Sequence, residues 1–243
     1  MTRIEAFTLP GVPEVRPGDD LGGMLAAHDY EPGDVLVLAH KIVSKAEGAL
    51  RRLSEITPTT RAEELALENG KDPRHVQVIL DESRAIVRAE RGVLICRTRH
   101  GFVCANAGVD ASNAPDADTV VTLPRDPDAS ARALRAVLRA RPAVVIADSF
   151  GRAWRHAQCD VAIGIAGLRP IDDWRGRHDA SGAALRATAI AVADEAAGAA
   201  DLVRDKASGE PAVVIRGLAR HVTDDDGPGA AALIRPLAED LFG

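Results

Sequence analysis

Two short apolar runs, Val35–Ala39 and Ala143–Ala147, stand out along the chain. Runs of this length without polar alternation are typical of strands that are buried on both faces of a sheet. Weaker patterns predict further strands at 3–8, 161–165 and 211–215. The core of the protein is therefore expected around a sheet whose central strands are covered on both sides.

Apolar residues at helical spacing predict helices between these strands. The predicted ranges are 20–28, 60–70, 128–141, a long helix from after Gly182 to about Leu202, and 229–241. A further helix after Asp72-Pro73 has Val76, Ile79, Leu80 and Ile86 as its apolar stripe. Two strands around the turn Arg97–His100 add a hairpin. This mixture predicts a mixed α/β (α+β) fold rather than a strict βαβ repeat.

Polar segments follow both apolar runs directly. His40–Gly48 comes after the first run and Ser149–Asp160 after the second, and both are predicted as loops. Loops just past the carboxyl end of a buried strand often bind ligands. These two segments are therefore the first places to look for a site.

Composition places the chain among globular proteins. It has 243 residues, 46% hydrophobic and 27% charged, with a mean hydropathy of −0.06. No apolar run approaches the roughly 20 residues needed to span a bilayer, so no membrane association is expected. Only four Phe, two Trp and one Tyr are present, so Ala, Val, Leu and Ile must build the core. The length allows one large domain or two small ones.

The net charge indicates which kind of partner to expect, and the cysteine content indicates the cellular location. The net charge of −6 argues against a nucleic-acid partner, because binding to nucleic acid needs clustered Lys and Arg. Cys96, Cys104 and Cys159 lie far apart without C-x-x-C spacing. This sparse, odd set and the absence of a signal pattern at the N-terminus predict a reducing, cytoplasmic location.

Common catalytic signatures are absent from the sequence. It contains no G-x-x-x-x-G-K-[ST], G-x-G-x-x-G, H-E-x-x-H or G-x-S-x-G motif. A site must therefore be sought in the residue types of the polar segments.

The first candidate segment begins at Asp148 and Ser149, at the end of the second apolar run. A carboxylate followed by a hydroxyl offers hard oxygen ligands for Mg²⁺ or Mn²⁺. Arg152 and Arg155 could hold phosphate or carboxylate groups in a bidentate manner. The alternative is a surface loop in which Asp148 is a turn residue.

The second candidate segment, Asn106–Asn113, contains Asp110 among small and turn-forming residues. It could supply a second metal carboxylate, or it could simply form turns. Two separated carboxylates at one divalent ion would be a phosphoryl-transfer arrangement. The third candidate is Lys41 and Lys45, which could bind a triphosphate or could lie on a solvated face.

Together these segments resemble the coenzyme F420-0:L-glutamate ligase family, also called F420-0:gamma-glutamyl ligase. The stretches that carry the resemblance lie in order over nearly the whole chain. They are 11–13, 18–21, 33–37, 42–48, 104–113, 148–152, 162–167, 193–195 and 211–217. The stretches Ile42–Gly48 and Cys104–Asn113 are the longest and most specific.

The resemblance implies a GTP-dependent ligase that adds L-glutamate to F420-0 through an acyl phosphate, with a second, gamma-linked glutamate possible on F420-1. It also implies a homodimer with an intertwined two-domain fold that is neither P-loop nor ATP-grasp. Mg²⁺ or Mn²⁺, two ions per site, and K⁺ are the implied ions. The whole chain, 1–243, would form one such unit, with two subdomains of undefined boundary and no fused C-terminal flavin domain.

The resemblance also assigns roles to individual residues. The catalytic residues would be Asp110, Asp148, Lys45 and Arg152. The metal ligands would be Asp110, Asp148, Ser149 and Asp205. The nucleotide would contact Val12, Pro13, Glu14, Val15, His40, Lys41, Lys45, Asn113, Lys206, Ala207, Ser208 and Gly209. Among the few aromatic residues, Phe150 and Trp154 are the first candidates for contact with the flat deazaflavin.

The chain departs from its relatives mainly in Val203–Gly209, which is less rich in glycine, and this leaves the role of Asp205 open. Two other functions stay open beside the ligase. One is a metal-dependent nucleotide phosphohydrolase that uses the same aspartates. The other is a nucleotide-binding module without activity.

Overall fold

The computed structural model describes residues 3–205 and 208–240. The strands are β1 Glu5–Thr8, β2 Val35–Ala39, β3 Leu50–Arg52, β4 Ser83–Glu90, β5 Val93–Thr98, β6 Val103–Ala105, β7 Thr119–Val121, β8 Ala143–Arg152, β9 Arg155–Ala166, β10 Asp172–Asp173, β11 Ala189–Ile190 and β12 Ala212–Arg216. The helices are α1 Leu21–Ala26, α2 His40–Ala46, α3 Thr60–Asn69, α4 Pro73–Asp81, α5 Pro127–Val137 and α6 Val192–Val203. The predicted mixed α/β class is confirmed.

A five-stranded sheet in the order β1-β12-β2-β8-β9 forms the centre of the protein. The two apolar runs of the sequence are its neighbouring strands β2 and β8, which run parallel. The other pairs, β1–β12, β12–β2 and β8–β9, are antiparallel. The parallel pairing of β2 and β8 ends at Ala39 and Ala147, so the polar segments that follow these two residues are brought together.

Helices cover both faces of this sheet. Leu36 and Leu38 face α1, α2 and α5, while Val35 and Val37 face the alanine-rich side of α6. Successive residues of a strand point to opposite faces, so an apolar residue is needed at every position of β2. Each buried Leu or Val stabilises the fold by roughly 1.5–3 kcal/mol relative to an exposed one.

A second, separate core lies beside the sheet. It packs α3 and α4 against β5, β7 and the 3₁₀ turn Asn106–Gly108. A three-stranded sheet, β4-β5-β6, and the short pair β3-β7 complete this lobe. The lobe carries the segment that contains Asp110 toward the edge of the main sheet.

Both predicted polar loops are regular structure. His40–Ala46 is helix α2, because Ile42 and Val43 bury one side of it against the sheet. The segment predicted as a loop over 149–160 is a long antiparallel hairpin, in which Ser149 pairs with Asp160. The first prediction was wrong because the apolar residues of α2 are few among polar ones, and the second because the outer part of the hairpin is largely exposed, so no burial pattern marks its strands.

Several predicted helix ends were also wrong. Helix α4 ends at Asp81, and Ile86 lies in β4 opposite Cys96. The long helix begins at Val192, because 189–190 instead pairs with 172–173. In place of the last helix there are two 3₁₀ turns, separated where Pro236 interrupts the segment. Among the described residues, none of the helices has the length and apolar content to cross a membrane.

Candidate functional site

The carboxyl ends of β2 and β8 place His40 beside Asp148. Ala39 and Ala147 are register partners, so the residues that follow them are neighbours. Atom Nε2 of His40 lies 3.3 Å from Oδ1 of Asp148, without the alignment of a hydrogen bond. The other ring nitrogen, Nδ1, lies 3.2 Å from Oγ of the buried Ser44. The strand pairing and α2 together fix this imidazole next to the Asp148 carboxylate, which lies within β8 rather than at its end.

The turn before Asp110 has an unusual backbone. Asn106, Ala107 and Gly108 have φ values of 51°, 54° and 72° in succession. A left-handed conformation costs a non-glycine residue roughly 1–2 kcal/mol, so the surrounding structure must enforce it. Gly108 is required for a second reason, because an added Cβ would lie 2.7 Å from Leu123. The turn directs the chain so that Asp110 bridges to Val121.

Lys41 joins this turn to α2. Its Nζ donates to Oδ2 of Asp110 at 2.6 Å and to Oγ of Ser112 at 2.5 Å. The Ser112 amide and hydroxyl also donate to the Asp110 carboxylate, both at 2.7 Å. Burial alone would raise the pKa of Asp110, but the hydrogen bonds from Lys41 and Ser112 outweigh it and lower that pKa. Asp110 is therefore a carboxylate adapted to hold a positive charge.

Lys45, one turn further along α2, binds the predicted nucleotide-contacting turn 12–15. Its Nζ donates to Oε1 of Glu14 at 2.5 Å. Lys45 is buried, whereas the Glu14 side chain is 74% exposed, so the partner can leave without disturbing the core. Residues at i and i+4 share one face of a helix, so Lys41 and Lys45 form one row of positive charge.

A second polar group lies on the other face of the β8–β9 hairpin. Ser149 donates from Oγ to Oδ1 of Asp160 at 2.5 Å. The other oxygen of Asp160 is bound by the guanidinium of Arg204. Asp160 and Arg204 were not among the predicted site residues. The antiparallel pairing that brings them to Ser149 would have been visible only if 149–160 had been interpreted as a hairpin.

The remaining predicted residues in the described part of the chain are exposed. Arg152 is at the exposed end of the hairpin, where it donates to the carbonyl of His156 at 2.7 Å. Asn113 is exposed, with φ of 56°. Asp205 and Ser208 are exposed, and the Asp205 carbonyl accepts from the Ser208 amide at 3.2 Å. Gly209 follows with φ of 71°, whereas Lys206 and Ala207 lie outside the described residues.

The two candidate aromatic residues have different environments. Phe150 is half-buried and packs edge-to-face on Phe102, with ring centroids 6.3 Å apart. Trp154, at the hairpin tip, is 79% exposed. Phe150 therefore packs against the core, whereas Trp154 is largely exposed to solvent.

Two titratable neighbours of the aspartates are held neutral. Burial raises the pKa of the Cys104 thiol to about 12, and the nearby charge of Asp148 acts in the same direction. Burial, with Lys71, lowers the pKa of His75, which lies near Asp110. Neither group is suited to nucleophilic or acid chemistry at neutral pH, so the reactive part of the site consists of carboxylates, hydroxyls and lysines.

The donor set fits a hard divalent cation. Asp110 and Asp148 supply carboxylates, which are among the ligands that Mg²⁺ and Mn²⁺ prefer, whereas Ser149 lies on the opposite face of β8. The Lys41 ammonium already lies on Asp110, which shows that this position suits a cation. Within 3–205 and 208–240, no three His, Cys, Asp or Glu side chains form a metal-binding group. Substrate phosphates or water would therefore have to complete the coordination, as is common for Mg²⁺.

The fold agrees with the family that the sequence matches. The model of the F420-0:Gamma-glutamyl ligase family matches residues 11–217. The chain therefore belongs to the F420-0:gamma-glutamyl ligase family.

Individual relatives are similar over almost their whole length. A coenzyme F420:L-glutamate ligase of Methanopyrus kandleri is 48% identical, over 94% of this chain and 93% of the relative. Proteins of the same name from Methanothermobacter thermautotrophicus and Methanocaldococcus jannaschii are 43% and 41% identical. These alignments cover 98% and 92% of this chain, and 98% and 90% of the relatives.

Proposed function

We propose that this protein is a GTP-dependent ligase that joins L-glutamate to the carboxylate of coenzyme F420-0. Family membership and the names of its relatives support the ligation of glutamate. Binding of the nucleotide is supported by one observation, the contact of Lys41 with Asp110 next to the pair His40–Asp148. Two carboxylates and a row of lysines at one sheet edge match the charges of a nucleotide and its counter-ion.

The lysines of α2 are proposed to bind phosphates. In the structure each is neutralised by a carboxylate, Lys41 by Asp110 and Lys45 by Glu14. Each contact is a single-point ion pair, and Glu14 and Asp110 are substantially exposed, so a phosphate can compete for the ammonium groups. We expect the turn 12–15, together with His40 and Asn113, to contact the rest of the nucleotide.

Joining a carboxylate to an amine in water requires activation of the carboxylate. The carboxylate oxygen of F420-0 would attack the γ-phosphorus of GTP, which breaks the bond to GDP and forms an acyl phosphate. The glutamate amine then attacks the acyl carbon, phosphate leaves, and the nitrogen loses a proton. Lys45 and Arg152 would offset phosphate charge during these steps. Positioning and charge neutralisation dominate such a mechanism, which needs no protein nucleophile.

The proposed function also includes metal ions, because the carboxylates of Asp110 and Asp148 are suited to a hard divalent cation. Asp110 and Asp148 would hold one Mg²⁺ or Mn²⁺ ion. Ser149 would lie beside a second ion, and the resemblance assigns Asp205 to the metal site as well. Such ions neutralise negative charge on transferring phosphates. The sequence alone adds four further expectations to this proposal. They are a homodimer, a K⁺ ion, the addition of a second glutamate to F420-1 and a cytoplasmic location.

Release of phosphate from GTP distinguishes the ligase from a phosphohydrolase. The protein is incubated with GTP and Mn²⁺, and F420-0 and glutamate are added singly and together. A ligase is expected to release phosphate at a substantial rate only with both acceptors. Release at the full rate with neither acceptor would contradict the proposal and favour a nucleotide phosphohydrolase.

A further inference from the structure

The hydroxyl of Ser112 completes a triangle of polar contacts with Asp110 and Lys41. Its Oγ lies 2.7 Å from Oδ2 of Asp110 and 2.5 Å from Nζ of Lys41, and this Nζ lies 2.6 Å from the same Oδ2. An ammonium group can only donate hydrogen bonds, so Ser112 accepts from Lys41 and directs its single proton at Asp110. Ser112 was not among the predicted site residues.

Ser112 holds both oxygens of the Asp110 carboxylate. Its amide donates to Oδ1 and its hydroxyl to Oδ2, each at 2.7 Å. The terminal torsion of an aspartate has broad preferences, so contacts to both oxygens are needed to restrict it to one orientation. A carboxylate oxygen has two lone pairs. If Lys41 leaves, Asp110 therefore keeps one lone pair on each oxygen for a cation while Ser112 still fixes its orientation.

A second Asp-x-Ser segment of the chain lacks this arrangement. At Asp179 the amide and the hydroxyl of Ser181 both donate to Oδ1, at 2.9 and 2.8 Å, and the amide of Ala183 donates to the same oxygen at 2.9 Å. A turn of this kind can thus form with one carboxylate oxygen alone. At Asp110 the contacts are divided between the two oxygens and include an ammonium group from α2, which is more than the turn itself requires.

The two candidate carboxylates also differ in what restricts them. The Asp148 side chain is 17% exposed and lies within β8 beside the buried His40, whereas the Asp110 side chain is 45% exposed. Backbone hydrogen bonds with Val121 fix the main chain of Asp110 and leave its carboxylate free to rotate. Packing can therefore orient Asp148, but Asp110 depends on hydrogen bonds such as those from Ser112.

We propose that Ser112 is a positioning residue, which keeps the Asp110 carboxylate oriented toward a divalent cation when Lys41 moves from Asp110 to a nucleotide phosphate. This inference rests on the proposed function for the cation and the nucleotide. Ser112 acts through Asp110 and does not have to touch the cation. Partners that orient a metal ligand in this way are typically worth about 10- to 100-fold in metal affinity.

The test is a titration of the full chain with Mn²⁺ at saturating GDP and without turnover, followed by the electron paramagnetic resonance signal of free Mn²⁺. Asp110→Asn identifies the class of Mn²⁺ site that depends on this carboxylate. Ser112→Ala keeps the amide and loses the hydroxyl, so it is expected to weaken that class by about tenfold, the lower end of the range. Ser112→Thr keeps both donors and is expected to bind Mn²⁺ as wild type does. Because Ser112 is exposed, both variants should melt at the wild-type temperature.

Two further variants separate this role from its alternatives. Ser181→Ala removes the hydroxyl of the other Asp-x-Ser turn and is the matched control, with unchanged Mn²⁺ affinity expected. In a Lys41→Met background, Ser112→Ala is expected to weaken Mn²⁺ binding by the same factor, because the positioning contact is to Asp110. Loss of the effect in that background would show that Ser112 acts by holding Lys41, which would overturn the inference.

The remaining outcomes distinguish the inference from the proposed function. Folded Ser112→Ala protein with wild-type Mn²⁺ affinity would overturn the inference, and so would an equal loss of affinity in Ser112→Thr. If Asp110→Asn still removes a class of Mn²⁺ site in either case, the proposed metal site stands. Wild type that binds no Mn²⁺ beyond that held by GDP alone would overturn both the inference and the metal part of the proposed function.

Discussion

Each end of the parallel pair β2–β8 has an aspartate in an ion pair, but the two pairs differ in burial and in geometry. At the amino end, the Asp34 carboxylate is bound by the fork of Arg216, with Nε and Nη2 each at 2.9 Å, and by the Glu31 amide at 2.8 Å. At the carboxyl end, Asp110 is bound by the single ammonium of Lys41, and its side chain is 45% exposed.

This difference separates a structural pair from an exchangeable one. A guanidinium fork fixes a carboxylate in one geometry, whereas a lysine ammonium is a point charge on a flexible stem. At the amino end Asp34 also links the two strands, because its carbonyl accepts a hydrogen bond from the amide of Ala143, the first residue of β8. At the carboxyl end, a charged ligand can replace either partner of the ion pair between Lys41 and Asp110. The comparison therefore predicts opposite effects of similar substitutions at the two ends.

The largest effect is expected for Asp110→Asn. Loss of this carboxylate should lower kcat for ligation by about 100-fold or more, because a charge needed at the transferring phosphate is no longer balanced. The melting temperature should change little, since the side chain is nearly half exposed. Steady-state kinetics and thermal unfolding check both parts. Asp116→Asn, on the exposed loop that follows, is the matched control and should leave kcat unchanged.

Asp34→Asn should show the reverse pattern. The neutral side chain leaves the guanidinium of Arg216 without its carboxylate, which should cost about 2 kcal/mol in the free energy of unfolding. The kcat of the folded enzyme should stay near that of wild type. Urea unfolding and kinetics on the same sample measure the two quantities. A large loss of kcat without a loss of stability would contradict the distinction between the two ends.

Lys41→Met should weaken nucleotide binding by about tenfold, because one charge-assisted contact to phosphate is lost. Isothermal titration with GDP in the presence of Mn²⁺ measures this effect. Lys71→Met, on the connection between α3 and α4, removes the same charge at a position outside α2. Equal affinities for the two variants would argue against phosphate binding by the α2 lysines.

A smaller effect is expected from pH at His75. Burial lowers the pKa of His75 in the folded protein below its ordinary value of 6.5. The unfolded chain therefore binds more protons as the pH falls below 6.5. Stability that is fully present above pH 6.5 is lost as the pH falls toward the folded-state pKa.

Urea unfolding between pH 7.5 and about 5.5 tests this effect. His75→Gln should reduce the dependence on pH, and it should not abolish it, because burial also lowers the pKa of His100 and His221. His28→Gln is the control, on the turn after α1. An unchanged slope in His75→Gln would show that His75 is not the titrating group.

The sequence predicted the parts of the fold that burial dictates. Val35–Ala39 and the start of β8 are apolar at every position, and a strand covered on both faces has no other composition. Parts that depend on distant partners were missed. Ile86 has the same apolar character in a helix or in a strand, and only its pairing with Cys96 decides between them.

The residues of the candidate site also fall into those that could be predicted from the sequence and those that depend on distant partners. Asp110, Asp148 and the α2 lysines were predicted from residue type and from resemblance, and the structure brings Lys41 onto Asp110 and His40 beside Asp148. Asp160 and Arg204 were missed because Asp160 contacts Ser149 across a hairpin, and Arg204 contacts Asp160 from the end of α6. No local pattern marks such a contact, since it arises from tertiary packing.

Mass spectrometry of the products formed from F420-0, GTP and L-glutamate tests the central claim most directly. The full chain is incubated with all three compounds and Mn²⁺, and parallel samples omit GTP or use Asp110→Asn. We predict a species heavier than F420-0 by one glutamate residue, formed together with GDP and phosphate, only in the complete wild-type sample. F420-0 that stays unmodified in the presence of folded protein and all substrates would contradict the proposed function.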